Sequence, residues 1–95
     1  MGSPAGKRVC GKYVGDGTAD VKEVKPGFAP SYIKVWSANG SVEKPDVTPQ
    51  SAKRDAAGAL TFIDGISLSE FGFEISSTDA ALNASGVEYY WMAEG

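Results

Sequence analysis

Glycine and proline punctuate this chain so densely that no helix of ordinary length fits between them. Twelve glycines and five prolines fall within 95 residues, and the apolar runs they separate are short, β-branched and aromatic. Residues 32–36 (YIKVW) form the clearest run. Ile33 and Val35 alternate there with Tyr32, Lys34 and Trp36 at the two-residue period of a strand. Comparable runs lie at 9–14 (VCGKYV), 21–25 (VKEVK), 59–63 (ALTFI), 72–76 (GFEIS) and 87–93 (VEYYWMA). Short strands, frequent turn signals and no apolar period of 3.6 residues point to an all-β domain. The expectation is a small antiparallel β-sandwich or jelly-roll-like barrel of about six or seven short strands, with one long exposed loop.

Turn chemistry suggests where the joints fall. Gly15-Asp16-Gly17 would fold 9–14 back onto 21–25, because glycine takes positive φ without steric cost. The charges of 21–25 mark that segment as an edge. Pro26 and Pro30 deny ladder hydrogen bonds to their loop, leaving Phe28 as a plug beneath it. Asn39-Gly40 is the dipeptide favoured in two-residue hairpins, and Asp64-Gly65 marks a further turn. Residues 76–86 hold at most one helical turn, with Ser77 or Thr78 as its N-cap. Residues 41–58 (SVEKPDVTPQSAKRDAAG) combine prolines, charges and few apolar side chains, and read as the long exposed loop. Residues 1–6 (MGSPAG) read as a flexible arm ahead of a single domain at 7–95.

Composition excludes several functions. Nine basic and twelve acidic residues leave a net charge of −3, which offers no electrostatic footing for nucleic acid. No apolar run is long enough to span a membrane, and MGSPAGKRV lacks the apolar centre of a signal peptide, so synthesis in a cytoplasm is expected. In that setting the sequons at Asn39 and Asn83 are accidental. The single cysteine, Cys10, has no disulfide partner within the chain and reads as a small core residue. A domain this small, without a disulfide, would gain stability from a partner subunit.

Histidine is absent, which removes the commonest general base and metal ligand. The remaining acid pairs, Asp16 with Asp20 and Glu70 with Glu74, read as solvated carboxylates. Gly11, Gly15 and Gly17 match no phosphate-cradling spacing and precede no helix. The reading is a non-enzyme with no cofactor and no metal. In the closing run, Val87, Tyr89, Trp91 and Ala93 would face the core. Glu88, Tyr90 and Met92 would face outward, and Tyr90 and Met92 suit a partner surface.

Three motifs in order carry a resemblance. Tyr13, Gly15, Asp16, Gly17 and Thr18 are followed by Gly27, Phe28 and Pro30, then by Asn83, Gly86, Tyr89, Trp91 and Ala93. This arrangement resembles small β-sandwich modules of tailed-bacteriophage virion proteins over most of 11–93. In such modules these positions are structural: turn glycines, a plug phenylalanine and a closing aromatic strand. The resemblance implies no catalytic residue. It implies a virion protein made in the host cytoplasm and bound to the capsid surface as a decoration (cement) protein. Its partners would be the major capsid protein or other virion proteins, together with further copies of itself, a trimer being one form. The alternative is a tail- or fibre-associated module that recognises a receptor or glycan. The module stands here without shaft or collar sequence, which favours the decoration reading. Partner contacts are expected from the arm and the long loop, with Met1, Pro4, Lys44, Val47, Lys53 and Arg54 joining Tyr90 and Met92.

Overall fold

The structure is a computed structural model that describes residues 8–48 and 50–95. The arm at 1–6, with Met1 and Pro4, lies outside the described residues. The described residues form nine strands and one short helix in the order β1 (Arg8–Val14), β2 (Lys22–Val24), β3 (Tyr32–Ser37), β4 (Gly40–Pro45), β5 (Ser51–Asp55), β6 (Leu60–Ile63), β7 (Ile66–Leu68), β8 (Phe73–Ile75), α1 (Ala80–Asn83) and β9 (Glu88–Glu94). They form a six-stranded sheet, β1-β9-β3-β4-β5-β6, and a three-stranded sheet, β2-β8-β7. Every pairing is antiparallel. The all-β, sandwich-like fold expected from the sequence is what the chain adopts.

The core follows from alternation. Ile33 and Val35 of β3, Val42 of β4, and Tyr89, Trp91 and Ala93 of β9 are buried on one face of the large sheet. Ile66, Phe73 and Ile75 meet them from the small sheet, and the Phe73 ring stands edge-on to Trp91 with centroids 5.6 Å apart. Three strands cannot cover six. The helix α1 inserts Ala81 and Leu82 into the same cluster. Phe28 packs against that cluster as the plug its flanking prolines suggested. Gly11 lies directly across from Trp91 in the β1–β9 ladder. A Cβ at Gly11 would sit 2.5 Å from the indole, so only glycine lets the ring lie over β1.

Several expectations are corrected. The segment 9–14 does not hairpin onto 21–25: β1 pairs with β9 along its whole length, whereas β2 pairs with β8 in the other sheet. The reason is length and pattern, since seven residues of β1 match seven of β9 while β2 offers three. β2 does lie at an edge. The supposed long loop, 41–58, instead contains most of β4 and all of β5, both internal to the large sheet. Glu43 alternates there with buried Val42 and Lys44, and exposed Arg54 follows inward-facing Lys53. Cys10 is exposed rather than core, because Gly11 and Tyr13 take the inner face of β1 and Cys10 falls on the other. The β3–β4 turn is made by Ala38 and Asn39, with Gly40 already paired to Ser37. Asp64-Gly65 carries the chain from one sheet to the other, between β6 and β7. The helix is capped by Asp79, whose carboxylate accepts from the Ala81 N–H at 2.8 Å, and Ser77 in turn accepts from the Asp79 N–H at 3.0 Å.

The sequence motifs at the two ends of the chain meet at one buried amide. Asn83 is fully buried. Its Nδ2 donates to Asp16 Oδ1 and to the Thr18 carbonyl, both at 2.8 Å, and its Oδ1 accepts from the Asp16 N–H at 3.0 Å. Its backbone carbonyl accepts from Gly17 N–H at 3.0 Å. Beside it, Tyr13 and Tyr89 stack with centroids 5.2 Å apart. Tyr13 donates to the Leu82 carbonyl at 2.6 Å, while Tyr89 donates to the Ala80 carbonyl and accepts from the Ala84 N–H. Gly15 must be small here, since a Cβ would lie 2.1 Å from the Ala84 carbonyl oxygen. The Thr18 backbone N–H, the Asn83 amide, the Thr18 hydroxyl and Lys22 hold the Asp16 carboxyl well below the usual carboxylate range.

Two measurements check this clasp. Asn83→Ala leaves the Asp16 N–H and Thr18 carbonyl without their partner, and should cost about 2–4 kcal/mol in urea unfolding with the m-value unchanged. The depressed Asp16 carboxyl sets the sign of a pH effect. Its contribution is complete above the ordinary value of 3.8 and is lost as pH falls towards the depressed one. The gap in urea midpoint between wild type and Asp16→Ala should therefore narrow steadily from pH 4 to about pH 2.

Candidate interaction face

The inner face of the large sheet is spent on the core, so its outer face is the broad surface the fold leaves to solvent. Register alone arranges it in rows that cross all six strands. One row runs Lys12, Tyr90, Trp36, Ser41, Arg54, Leu60. The next runs Cys10, Met92, Lys34, Glu43, Ala52, Phe62.

The centre of the first row is aromatic. Trp36 and Tyr90 are direct cross-strand neighbours, 37% and 42% exposed, with ring centroids 6.2 Å apart and planes inclined by 30°. Lys34 Nζ stands 6.0 Å from the Trp36 ring centroid. Tyr90 donates to Glu88 at 2.6 Å, and Glu88 also pairs with Lys12 at 3.6 Å. That phenol bond, followed by Lys12, lowers the Glu88 carboxyl, and the same bond raises the Tyr90 phenol. Tyr32 donates to Glu43 at 2.7 Å, and partial burial together with that bond pushes its phenol up to about 12. Arg8 holds Glu94 at 2.7 Å. The face thus alternates ion-paired and hydrogen-bonded charges with aromatic rings.

Beside Trp36 the face dips into an open groove of about 730 Å³, lined by Lys34, Trp36, Ser41, Arg54, Asp55 and Met92. The β5–β6 turn builds its far wall: Asp55 Oδ1 accepts from the Ala57 and Ala59 N–H groups at 2.9 Å, and Arg54 donates to the Gly58 carbonyl at 3.4 Å.

The candidate contact residues divide. Tyr90, Met92 and Arg54 lie together on this face. Val47 is exposed in the turn after β4, away from the rows. Lys44 is not a surface contact: it is buried, and its ammonium donates to the carbonyls of Pro45, at 2.9 Å, and Thr48. Lys53 points to the core side, where its ammonium meets the Asp79 carboxylate at 2.8 Å. Burial alone would raise the Asp79 carboxyl, but Lys53 and the Ala81 N–H outweigh it and hold it low. Both lysines fall in the segment expected to be a loop, and strand alternation turns them inward. Leu60, Phe62 and Glu43 were missed on the outer face. The alternation in SVEKP and SAKRD was the available signal.

Among the described residues no group of three or more acidic, cysteine or histidine side chains is placed to hold a metal ion. Asp16 is fully engaged in the clasp, and Glu74 lies directly across from Glu23 on the small sheet. No helix among the described residues is long and apolar enough to cross a membrane. Compared with family models, curated proteins and solved structures, the chain matches none.

The two tryptophans provide a direct check, since Trp91 is buried and Trp36 open. Iodide should quench a red-shifted component of the native emission. Trp36→Phe should abolish that component while moving the unfolding free energy by no more than about 1 kcal/mol.

Proposed function

We propose that this chain is a non-enzymatic structural protein of a bacteriophage virion, a capsid decoration protein that binds and stabilises the outer head shell. The observation that carries the reading is the convergence of motifs. Of the residues that carry the resemblance to phage virion modules, Asp16 and Thr18 bond the Asn83 amide, and Tyr13 and Tyr89 stack beside it with their hydroxyls on the helix backbone. The face rowed with Tyr90, Trp36, Met92 and Arg54 supplies a surface for a shell partner. A subunit that binds only the assembled lattice stabilises it by mass action, with no chemistry required.

A second reading has its own observation. Trp36 borders a groove that also presents Lys34, Arg54 and Asp55, the ring-and-polar pairing that a tail- or fibre-associated receptor or glycan module uses. Location in the particle separates the two. Quantitative mass spectrometry of purified virions should find the chain at the copy number of a shell lattice. A handful of copies per particle selects the tail reading, and absence from the particle overturns both.

A further inference from the structure

The two sheets end in four edge strands, and they are not defended alike. β1 carries Arg8 and Lys12, and β2 carries Lys22 and Glu23, charges that discourage edge-to-edge pairing. β7, Ile-Ser-Leu, is uncharged too, but Ile66 is buried and Leu68 packs against the core. β6, the other edge of the large sheet, reads Leu-Thr-Phe-Ile without a charge, proline or glycine. Its outer-face side chains stand in solvent, Leu60 at 48% and Phe62 at 64% exposure.

The backbone direction of β6 follows from the turn before it. The Asp55 N–H donates to the Ala59 carbonyl at 3.2 Å. Alternation along an antiparallel ladder then turns the peptide groups of Thr61 and Ile63 towards β5, and those of Leu60 and Phe62 towards the open edge. The two residues with outward peptide groups are therefore the two with exposed apolar side chains.

We propose that this edge is a twofold interface occupied by β6 of a second copy of this chain, antiparallel and centred on Thr61. In that register Leu60 of each copy meets Phe62 of the other, and each such pair exchanges both of its backbone hydrogen bonds. The Thr61 residues meet as a narrow, non-hydrogen-bonded pair. Asp64 comes opposite the other copy's Gly58, so no like charges face each other. A slip by one residue would set outward peptide groups against inward ones. Centring on Leu60 instead would leave Phe62 opposite Gly58, with no side chain to meet. The register that pairs both residues is thus the one centred on Thr61.

The product is a dimer with one continuous sheet whose outer face joins the aromatic rows of both copies. It is isologous and closes at two, in place of the trimer considered above. It rests on the geometry of β6 alone and stands or falls separately from the virion reading. An edge of four residues is a small interface, so dimerisation should depend on concentration.

Sedimentation velocity of the full chain from about 10 µM to about 1 mM should show a monomer–dimer equilibrium. Phe62→Lys, and Leu60→Pro, which removes an outward N–H while sparing the β5 ladder, should each raise the dissociation constant at least about tenfold. Far-UV circular dichroism and the urea midpoint report whether each variant is folded; Phe62→Lys changes only an exposed side chain. In a Cys10→Ser background, Thr61→Cys should form an intermolecular disulfide on mild oxidation, and Ser67→Cys on the β7 edge should not. A chain monomeric throughout that range overturns the proposal, as does a dimer that persists in folded Phe62→Lys. A dimer in which the Thr61→Cys variant does not cross-link overturns the register.

Discussion

A buried carboxamide holds this domain closed. Asn83 sits at the end of the one short helix and bonds the loop that follows the first strand, 65 to 67 residues away in sequence. Every polar atom of its side chain is used, and a buried amide left unpaired would cost far more than its bonds contribute. Because the clasp fixes where the first strand ends and the last begins, it also fixes the register of β1 on β9. The stacked tyrosines then bury their rings and direct their hydroxyls at the carbonyls around the helix. Without a disulfide, this polar knot ties the two ends of the described chain together.

The unequal sheets explain the division between core and surface. Three strands and one helical turn must cover six strands, so the helix position is dictated by what the small sheet leaves bare. Lys53 illustrates the consequence. It faces inward from β5, and its charge is met by the carboxylate that caps the helix, so one contact satisfies an inward cation and anchors the helix N-terminus. With the inner face committed, the aromatic and charged side chains of the outer face bond mainly to one another among the described residues, as Tyr90 does to Glu88 and Tyr32 to Glu43. That is why the exposed aromatic rows and the β6 edge both belong to the large sheet.

Much of the fold was legible. Alternation in VEYYWMA placed Tyr89, Trp91 and Ala93 inside and Tyr90 and Met92 outside, and in YIKVW it set Ile33 and Val35 on the face opposite Trp36; each lies on the face that period two assigns it. The failures share a cause. Residues 41–58 have the composition of a loop and the period of strands: Glu43 alternates with buried Val42 and Lys44, and Arg54 follows inward Lys53. Cys10 looked like core because β1 is apolar, yet the face that turns inward was decided by the need to seat Gly11 under the Trp91 indole.

By itself, then, the sequence determined the class of the fold and the faces of its clearest strands, because side-chain alternation and turn chemistry are local properties of the chain. It also supplied the residues of the clasp as separate motifs. Only the tertiary structure decided which strands are neighbours: that β1 turns away from β2 to pair with β9, and that β6 is left as an uncharged edge. Pairing is settled by long-range competition among strands for matching length, register and buried surface, and a linear pattern carries no record of that competition.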